Sequence, residues 1–548
     1  MRNHVGLVPL LLVCASCASC ASSAPRAGNT PVTAAAPARL SAPAAPTVSG
    51  KSSKTGNGKI QRGSFGPLFD DLVAKVRRHH VFADGQATAF DGALERLRRE
   101  AQGAETEAEG MVAMAHLERA LGDRHCNLSP PADVRAAGLG LGLSLHTERE
   151  SSGKVRVRVE SIEDPALEAK VRVGDELLAV DDVLVEAWLA DHPFESNALN
   201  PEARLSETAR AIVSQVIPWT TAKEGQTRRL RLASAGDLTL SFRRPFRYER
   251  EENVPDIDSS PPMASISCTQ DGKVPYSGYE LATTGVNYCT YRPSAGNRGA
   301  QGTRIVRFVS FMYPARETSA QLRMVRVDHD GLARDLVGAR RVVLDLHENH
   351  GGNNPFVFLS WFAKKPWQHE KVTVRVSPDF TEDEARNFLY GDSDLTKSYL
   401  AGAQRGEAWF SYPFLCKGEG CDGMRGPRPA ERVTEAPVGI ITGPACTSSC
   451  DAFSVTWSAY AMGPIVGKQP MHGFTSVRHE FPMRGPDGRS LGLFRIALSY
   501  EGFPGKPPLE GAPIRLDWQA PETFATRDTW LDASVAEVIS RLATSSGR

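Results

Sequence analysis

Neither sign of charge is in excess in this chain of 548 residues: 64 lysines and arginines balance 64 aspartates and glutamates. A balanced chain carries no electrostatic footprint for nucleic acid or for an anionic membrane surface. Beyond the N-terminus no apolar run is long enough to span a bilayer. None of the cysteine spacings resembles a zinc site. His347 and His350 lie close together in a loop beside Glu348, but no third ligand follows at a fitting spacing. No metal or cofactor is therefore implied. Residues 21–62 contain almost no large apolar side chains and are rich in Ala, Pro, Ser, Thr and Gly. Such a stretch cannot bury enough surface to fold, which predicts a disordered tether.

The N-terminal end is different. Met1-Arg-Asn-His4 is a short basic region, and Val5–Val13 has the length of a signal-peptide apolar core. Small residues and Cys14, Cys17 and Cys20 follow. Residues 1–20 therefore read as a secretory segment, cleaved either ordinarily or as a lipoprotein signal that leaves a lipid anchor at Cys17 or Cys20. The expectation is export to a bacterial cell envelope, as a lipoprotein or periplasmic protein, or full secretion. Cysteine usage agrees: close pairs at 268/289, 416/421 and 446/450 suit an oxidising compartment, with Cys126 left over.

A chain of this length implies several domains. Residues 63–130 have helical apolar spacing (Phe69, Leu72, Val73, Val76; then Phe90, Leu94, Leu97), and a third helix, Met111–Leu121, meets Gly122 at its end. Residues 135–245 read as a β-rich module. Its Gly138-Leu-Gly-Leu-Gly-Leu143 loop, its strand Lys154–Val159 and its Val173-Gly-Asp-Glu-Leu-Leu-Ala-Val180 segment resemble a PDZ domain. That resemblance implies peptide binding at Gly140, Leu141, Gly142 and Leu143, where loop amides hold a chain-end carboxylate. Residues 250–302 have two cysteines and little periodicity, and read as a disulfide-pinned insertion. From 303 to 535 strands and helices alternate as in an α/β core: Ile305–Phe311, Ser319–Val337, Arg341–Leu346, Pro437–Thr442, Pro464–Gly467 and Leu493–Tyr500.

Within that core, Pro437–Thr442 is a buried-strand pattern, Gly443-Pro444 breaks it, and Ser448-Ser-Cys-Asp451 opens a helix. Helix-start amides are unpaired and lie at the positive end of the dipole, so a hydroxyl there has an oxyanion site beside it. The same Ser-x-x-Asp spacing also fits a capping box. Cys446 and Cys450 flank Ser448, either as a disulfide pinning the turn or as a reactive thiol.

Taken in order, Gly122-Asp-Arg-His125, Asp345-Leu-His-Glu-Asn-His-Gly-Gly352 and Thr447-Ser-Ser-Cys-Asp451 resemble the motifs of the C-terminal processing (tail-specific) serine peptidases, in the tricorn-core-like branch. The resemblance implies an α/β fold with an N-terminal helical region, a PDZ-like β module and a crotonase-like ββα catalytic core. It also implies a serine endopeptidase acting on peptides or protein tails. Ser448 would attack, His125 would act as base and then acid, and Glu510, in Leu509-Glu-Gly-Ala512, would support the imidazole. Backbone amides of Ser449 and of Gly351 or Gly352 would form the oxyanion hole.

This chain departs from the family at several points. Gly473 stands where the lysine-dependent branch has its base, and the nearest lysine is Lys468. Arg124 replaces the hydroxyl that normally precedes the histidine, leaving a relay that is shorter or organised by Asp123. Asp451 replaces Glu, and His347 replaces the signature arginine. A catalytically inactive peptide-binding protein on the same fold is the competing expectation.

Overall fold

The computed structural model describes residues 60–545 except 83–85, 132–133, 135–136, 245–267, 270–271, 314–317, 353–354, 366, 368–369, 390–391, 414–431, 474–476, 504–508, 510 and 522. The secretory segment with Cys17 and Cys20, nearly all of the tether, the Cys416/Cys421 pair and Glu510 lie outside the described residues.

A seven-stranded sheet organises the chain. Its strands lie side by side in sequence order: Tyr279–Thr284, Cys289–Pro293, Thr303–Arg307, Arg341–Asp345, Val438–Thr442, Ile465–Gly467 and Trp518–Gln519. The first three run antiparallel to one another, and from Thr303–Arg307 onward neighbours are parallel. Parallel strands require crossovers that cover both faces, so their residues are apolar on both sides. Ile305, Val343, Ile441 and Val466 meet Val535, Val538 and Leu542 of the helix Trp530–Ser545. Val306, Val342, Leu344 and Ile440 join the larger core with Phe308, Phe358, Phe453 and Trp457. Each such fully buried large side chain contributes roughly 1.5–3 kcal/mol. No described helix is long and apolar enough to cross a membrane.

In three places the architecture departs from the sequence reading. The segment expected as an insertion at 250–302 supplies the first two strands of this sheet, Tyr279–Thr284 at its edge and Cys289–Pro293 beside it, and the Cys268–Cys289 disulfide staples it. Its strand character was hidden because Tyr279–Thr284 keeps most of its side chains at the surface. The run Leu493–Tyr500 is not one core strand. It divides between Ser490–Ala497 and Ser499–Gly502, which belong to two separate three-stranded sheets. The core also continues past 535, through the helix that ends at Ser545.

Three N-terminal helices, Gly66–His79, Gln86–Gly103 and Glu107–Arg119, pack into the same core. Thr106 and Glu109 close a capping box on the third. Gly110 must be glycine, because an added Cβ would lie 2.4 Å from the Phe65 ring. Gly122, at φ +60°, turns the chain beyond the helix end. The short strand Asn127–Ser129 then pairs with Ser490–Ala497, joining the helical region to the core.

Residues 137–243 form a second core of their own, from Leu139, Leu141, Leu143, Val157, Val180, Ile212 and Leu230 among others. Strand Leu143–Arg149 pairs with Val155–Ile162, Ala137–Gly140 pairs with Ser214–Ile217, and helix Pro201–Val213 packs between them. Asn200 caps that helix through Oδ1 and donates Nδ2 to the carbonyls of Gln469 and Pro470. The module is thereby tied to a loop of the main core.

Candidate active site

Strand Val438–Thr442 is fully buried, and the chain leaves it through Gly443, whose missing side chain admits the His347 carbonyl. The turn that follows delivers Ser448 at φ +57° and ψ −120°, immediately before helix Ser449–Ala459. A non-glycine residue in this region is strained, and such strain gathers where a side chain must be presented. The capping-box reading does not hold: Ser448 makes no side-chain cap to the helix. Asp451, fully buried, instead accepts the amides of His472 through Oδ1 at 3.0 Å and of Gly473 through Oδ2 at 3.1 Å. Burial pushes its carboxyl well up, while the amides of Gly473, His472 and Ser448 pull the other way. The Cys446–Cys450 disulfide closes the turn around Ser448.

Gly473 is where the separated motifs meet. Its carbonyl accepts the Ser448 amide at 3.1 Å. On its other side, a Cβ placed on Gly473 would sit 3.1 Å from Arg124 Cβ, 3.6 Å from His125 Cε1 and 3.7 Å from His125 Nδ1. Ser448 and His125, far apart in sequence, thus pack against one residue. Sequence reasoning gave Gly473 no role beyond the absence of a lysine. A lone loop glycine without periodicity carries no signal that could have found it.

His125 is buried, and burial together with Arg478, Arg124 and Arg495 holds its pKa down at about 3. It is therefore a neutral imidazole at neutral pH, the form that can accept a proton. Its Nδ1 has no hydrogen-bond partner among the described residues and faces Asp123 Oδ1 at 3.8 Å. Asp123 Oδ1 also accepts the His125 backbone amide at 2.8 Å, which fixes the turn. Arg124, at the position of the absent hydroxyl, points to Asn197 and Glu207. Of the Glu510 segment, Leu509 N–H donates to Glu501 O and Gly511 N–H donates to His472 O, next to Gly473.

The Gly351-Gly352 loop lies against the same turn. A Cβ on Gly351 would be 2.5 Å from Thr447 O and 3.0 Å from both Ser448 Cβ and Ser449 N. Glycine here keeps the space in front of the Ser449 amide open. Gly351 does not fit the expected role of second oxyanion donor, because its N–H is given to Asn349 Oδ1 at 2.8 Å. Ser449 uses its hydroxyl on Gly352 O at 2.9 Å, which leaves Ser448 as the presented hydroxyl of the pair. Asn349, which the motif reading passed over, is the hub: Nδ2 donates to Phe308 O and its carbonyl accepts Thr447 N–H at 3.3 Å. Its place in the Asp345-Leu-His-Glu-Asn-His-Gly-Gly352 motif is the signal that could have marked it.

The residues expected to hold a peptide terminus are differently employed. Gly140 N–H donates to Arg243 O at 2.7 Å and Leu141 N–H to Val213 O at 2.9 Å, while Leu141 and Leu143 are buried. Gly142, at φ +82°, turns over Asp164 and accepts the amides of Glu163 and Asp164. Two of the four loop amides are thus satisfied within the module.

The fold has a counterpart among solved structures. Mature CPAF superposes with a TM-score of 0.63 at 15% identity, spanning 89% of this chain and 98% of CPAF. The chain has the fold of mature CPAF. The CPAF complex with lactacystin gives 0.62 at 14% identity, over 88% and 98% of the two chains. The mixed α/β fold expected from the motifs is the one observed. No protein-family model matches the sequence, and neither does any curated protein.

Proposed function

We propose that this protein is a serine endopeptidase that hydrolyses peptides or protein tails through an acyl-enzyme. The observation that carries the reading is the convergence at Gly473 of a strained, presented Ser448 with a buried, neutral His125, on a fold shared with CPAF. Ser448 Oγ attacks the scissile carbonyl carbon while His125 accepts its proton and later gives it to the leaving amine. The acyl-enzyme is then hydrolysed by water through the same base. Asp123, 3.8 Å from the ring, is the described carboxylate that faces the imidazole. A small ring movement makes that hydrogen bond, and such bonds commonly tighten only with substrate bound. Glu510 is the alternative orienting group. The Ser449 amide, at the helix start, receives the oxyanion.

Two disulfides in the described residues favour an oxidising compartment, which supports export with or without a lipid anchor at Cys17 or Cys20. The competing reading, an inactive peptide-binding protein, is weakened by the internal bonding of Gly140 and Leu141. The test compares residues 60–548 of the wild type with Ser448→Ala and His125→Ala on an unstructured protein substrate. Fluorophosphonate labelling is measured in parallel. Cleavage and labelling lost in both folded variants support the reading. Turnover retained by Ser448→Ala would overturn the nucleophile assignment, and an inert, unlabelled wild type would favour the binding protein.

A further inference from the structure

We propose that His347 is a positioning residue: a buried cation clamped between Asp345 and Glu348 that holds the Asn349–Gly352 loop against the Ser448 turn. The proposal deepens the peptidase reading and rests on it for its effect on turnover.

The geometry requires the charge. His347 Nδ1 lies 2.7 Å from Asp345 Oδ1, and Nε2 lies 3.5 Å from Glu348 Oε1. A neutral imidazole has one N–H, so one ring nitrogen would turn a lone pair toward a carboxylate. Only the imidazolium offers a proton to both. Other charged and titratable groups complete the clamp from the neighbouring elements. Tyr276 O–H donates to Asp345 Oδ2, and Arg307 pairs with Glu348. Trp530 stands edge-on to the imidazole, with Lys468 Nζ 4.9 Å from the Trp530 ring centroid. Burial alone would lower the His347 pKa, but Asp345 and Glu348 outweigh it and raise it to about 9. In return His347 holds Glu348 down at about 2.

The clamp also sits where a shift matters. Leu346, one residue before His347, donates its amide to Ile441 O, and its carbonyl accepts Asn349 N–H. The His347 backbone fills the space left by Gly443 at the exit of the nucleophile strand. Through Asn349 the same loop reaches Thr447 and Gly351. Loss of the cation leaves the buried Asp345 carboxylate and the partly exposed Glu348 facing a neutral ring, and the loop that spaces Ser448 loses its anchor.

The experiment measures kcat/KM from pH 6 to 10.5 (a range of about 4.5 pH units that includes the raised value) for the wild type, His347→Arg and His347→Gln. The expected wild-type profile falls on the alkaline side with a midpoint near the His347 value of about 9. His347→Arg, which keeps a cation, should lose that limb. His347→Gln, folded by circular dichroism, should turn over about tenfold or more slower than the wild type below about pH 8, show no alkaline limb of its own, and approach the wild type above the His347 value of about 9. A wild-type limb that persists unchanged in His347→Arg, or wild-type turnover in His347→Gln below that limb, overturns the proposal. A second readout is independent of catalysis. The folded pKa lies above the unfolded value, so the stability from the clamp is complete below about 6.5 and is lost as pH rises toward about 9. The wild-type Tm should therefore fall over that window more than the Tm of His347→Arg. Equal slopes overturn the clamp even if the protein proves to be no peptidase, and a wild type that fails to label while its Tm falls as expected refutes only the peptidase reading.

Discussion

Replacing Gly351 with alanine tests whether the glycine loop spaces the nucleophile or merely turns the chain. Its φ of +79° costs an L-residue roughly 1–2 kcal/mol. The new methyl would also lie 2.5 Å from the Thr447 carbonyl oxygen. A relaxed carbon–oxygen contact is about 3.3 Å or more, so loop and turn must part by about 0.8 Å. The turn yields little, because Thr447 N–H is held by Asn349 and the Cys446–Cys450 disulfide closes it. A displacement of that size at a reacting centre costs on the order of 100-fold in rate, or about 2.7 kcal/mol. Gly351→Ala should thus lower kcat on an unstructured protein substrate by about two orders of magnitude, with a Tm loss of only several degrees. Fluorophosphonate labelling should slow in proportion. If kcat stays within about threefold of wild type while Tm falls, Gly351 is a turn residue and the spacing argument is refuted.

Two other outcomes follow from the same geometry. Removing the flanking disulfide with Cys446→Ser and Cys450→Ser should cost roughly 2 kcal/mol, given its short loop, and should lower turnover by more than that stability loss explains, since Ser448 can leave its strained conformation; thermal melts beside kcat/KM decide it. Acid should destabilise the protein early: His80 and His472 are buried with pKa values lowered to about 4, and His125 to about 3, chiefly by burial. These groups cost nothing above the unfolded value near 6.5, and each weakens the fold by about 1.4 kcal/mol per pH unit below it, so Tm should drop between pH 6.5 and 5 and be partly restored in His472→Gln.

Much of the nucleophile end was legible because its signals are local. The β-branched run, the Gly443-Pro444 break and the helical spacing after Ser448 each follow from one stretch of chain, and the structure has a strand, a turn and a helix there. Gly122 was readable for the same reason. What was not legible is what depends on distant partners. Asp451 looked like half of a cap, yet it binds amides of His472 and Gly473 in a loop beyond the helix. The strand at Tyr279 was concealed by its mostly exposed side chains, and the places of the two strands are set by pairing: Tyr279–Thr284 with Cys289–Pro293, and Cys289–Pro293 with Thr303–Arg307. His347 read as a weak metal candidate because nothing local reveals the Tyr276 and Arg307 side of its network.

The pairing of Asn127–Ser129 with Ser490–Ala497 has a consequence for synthesis. His125 leaves the ribosome early, but the strand that receives the segment after it, and the Gly473 that separates it from Ser448, emerge much later. Contacts so distant in sequence form late in folding. A growing or truncated chain therefore holds a histidine and, later, a serine that do not yet meet. The pair on which the proposed function depends therefore comes together only when nearly the whole chain has been assembled.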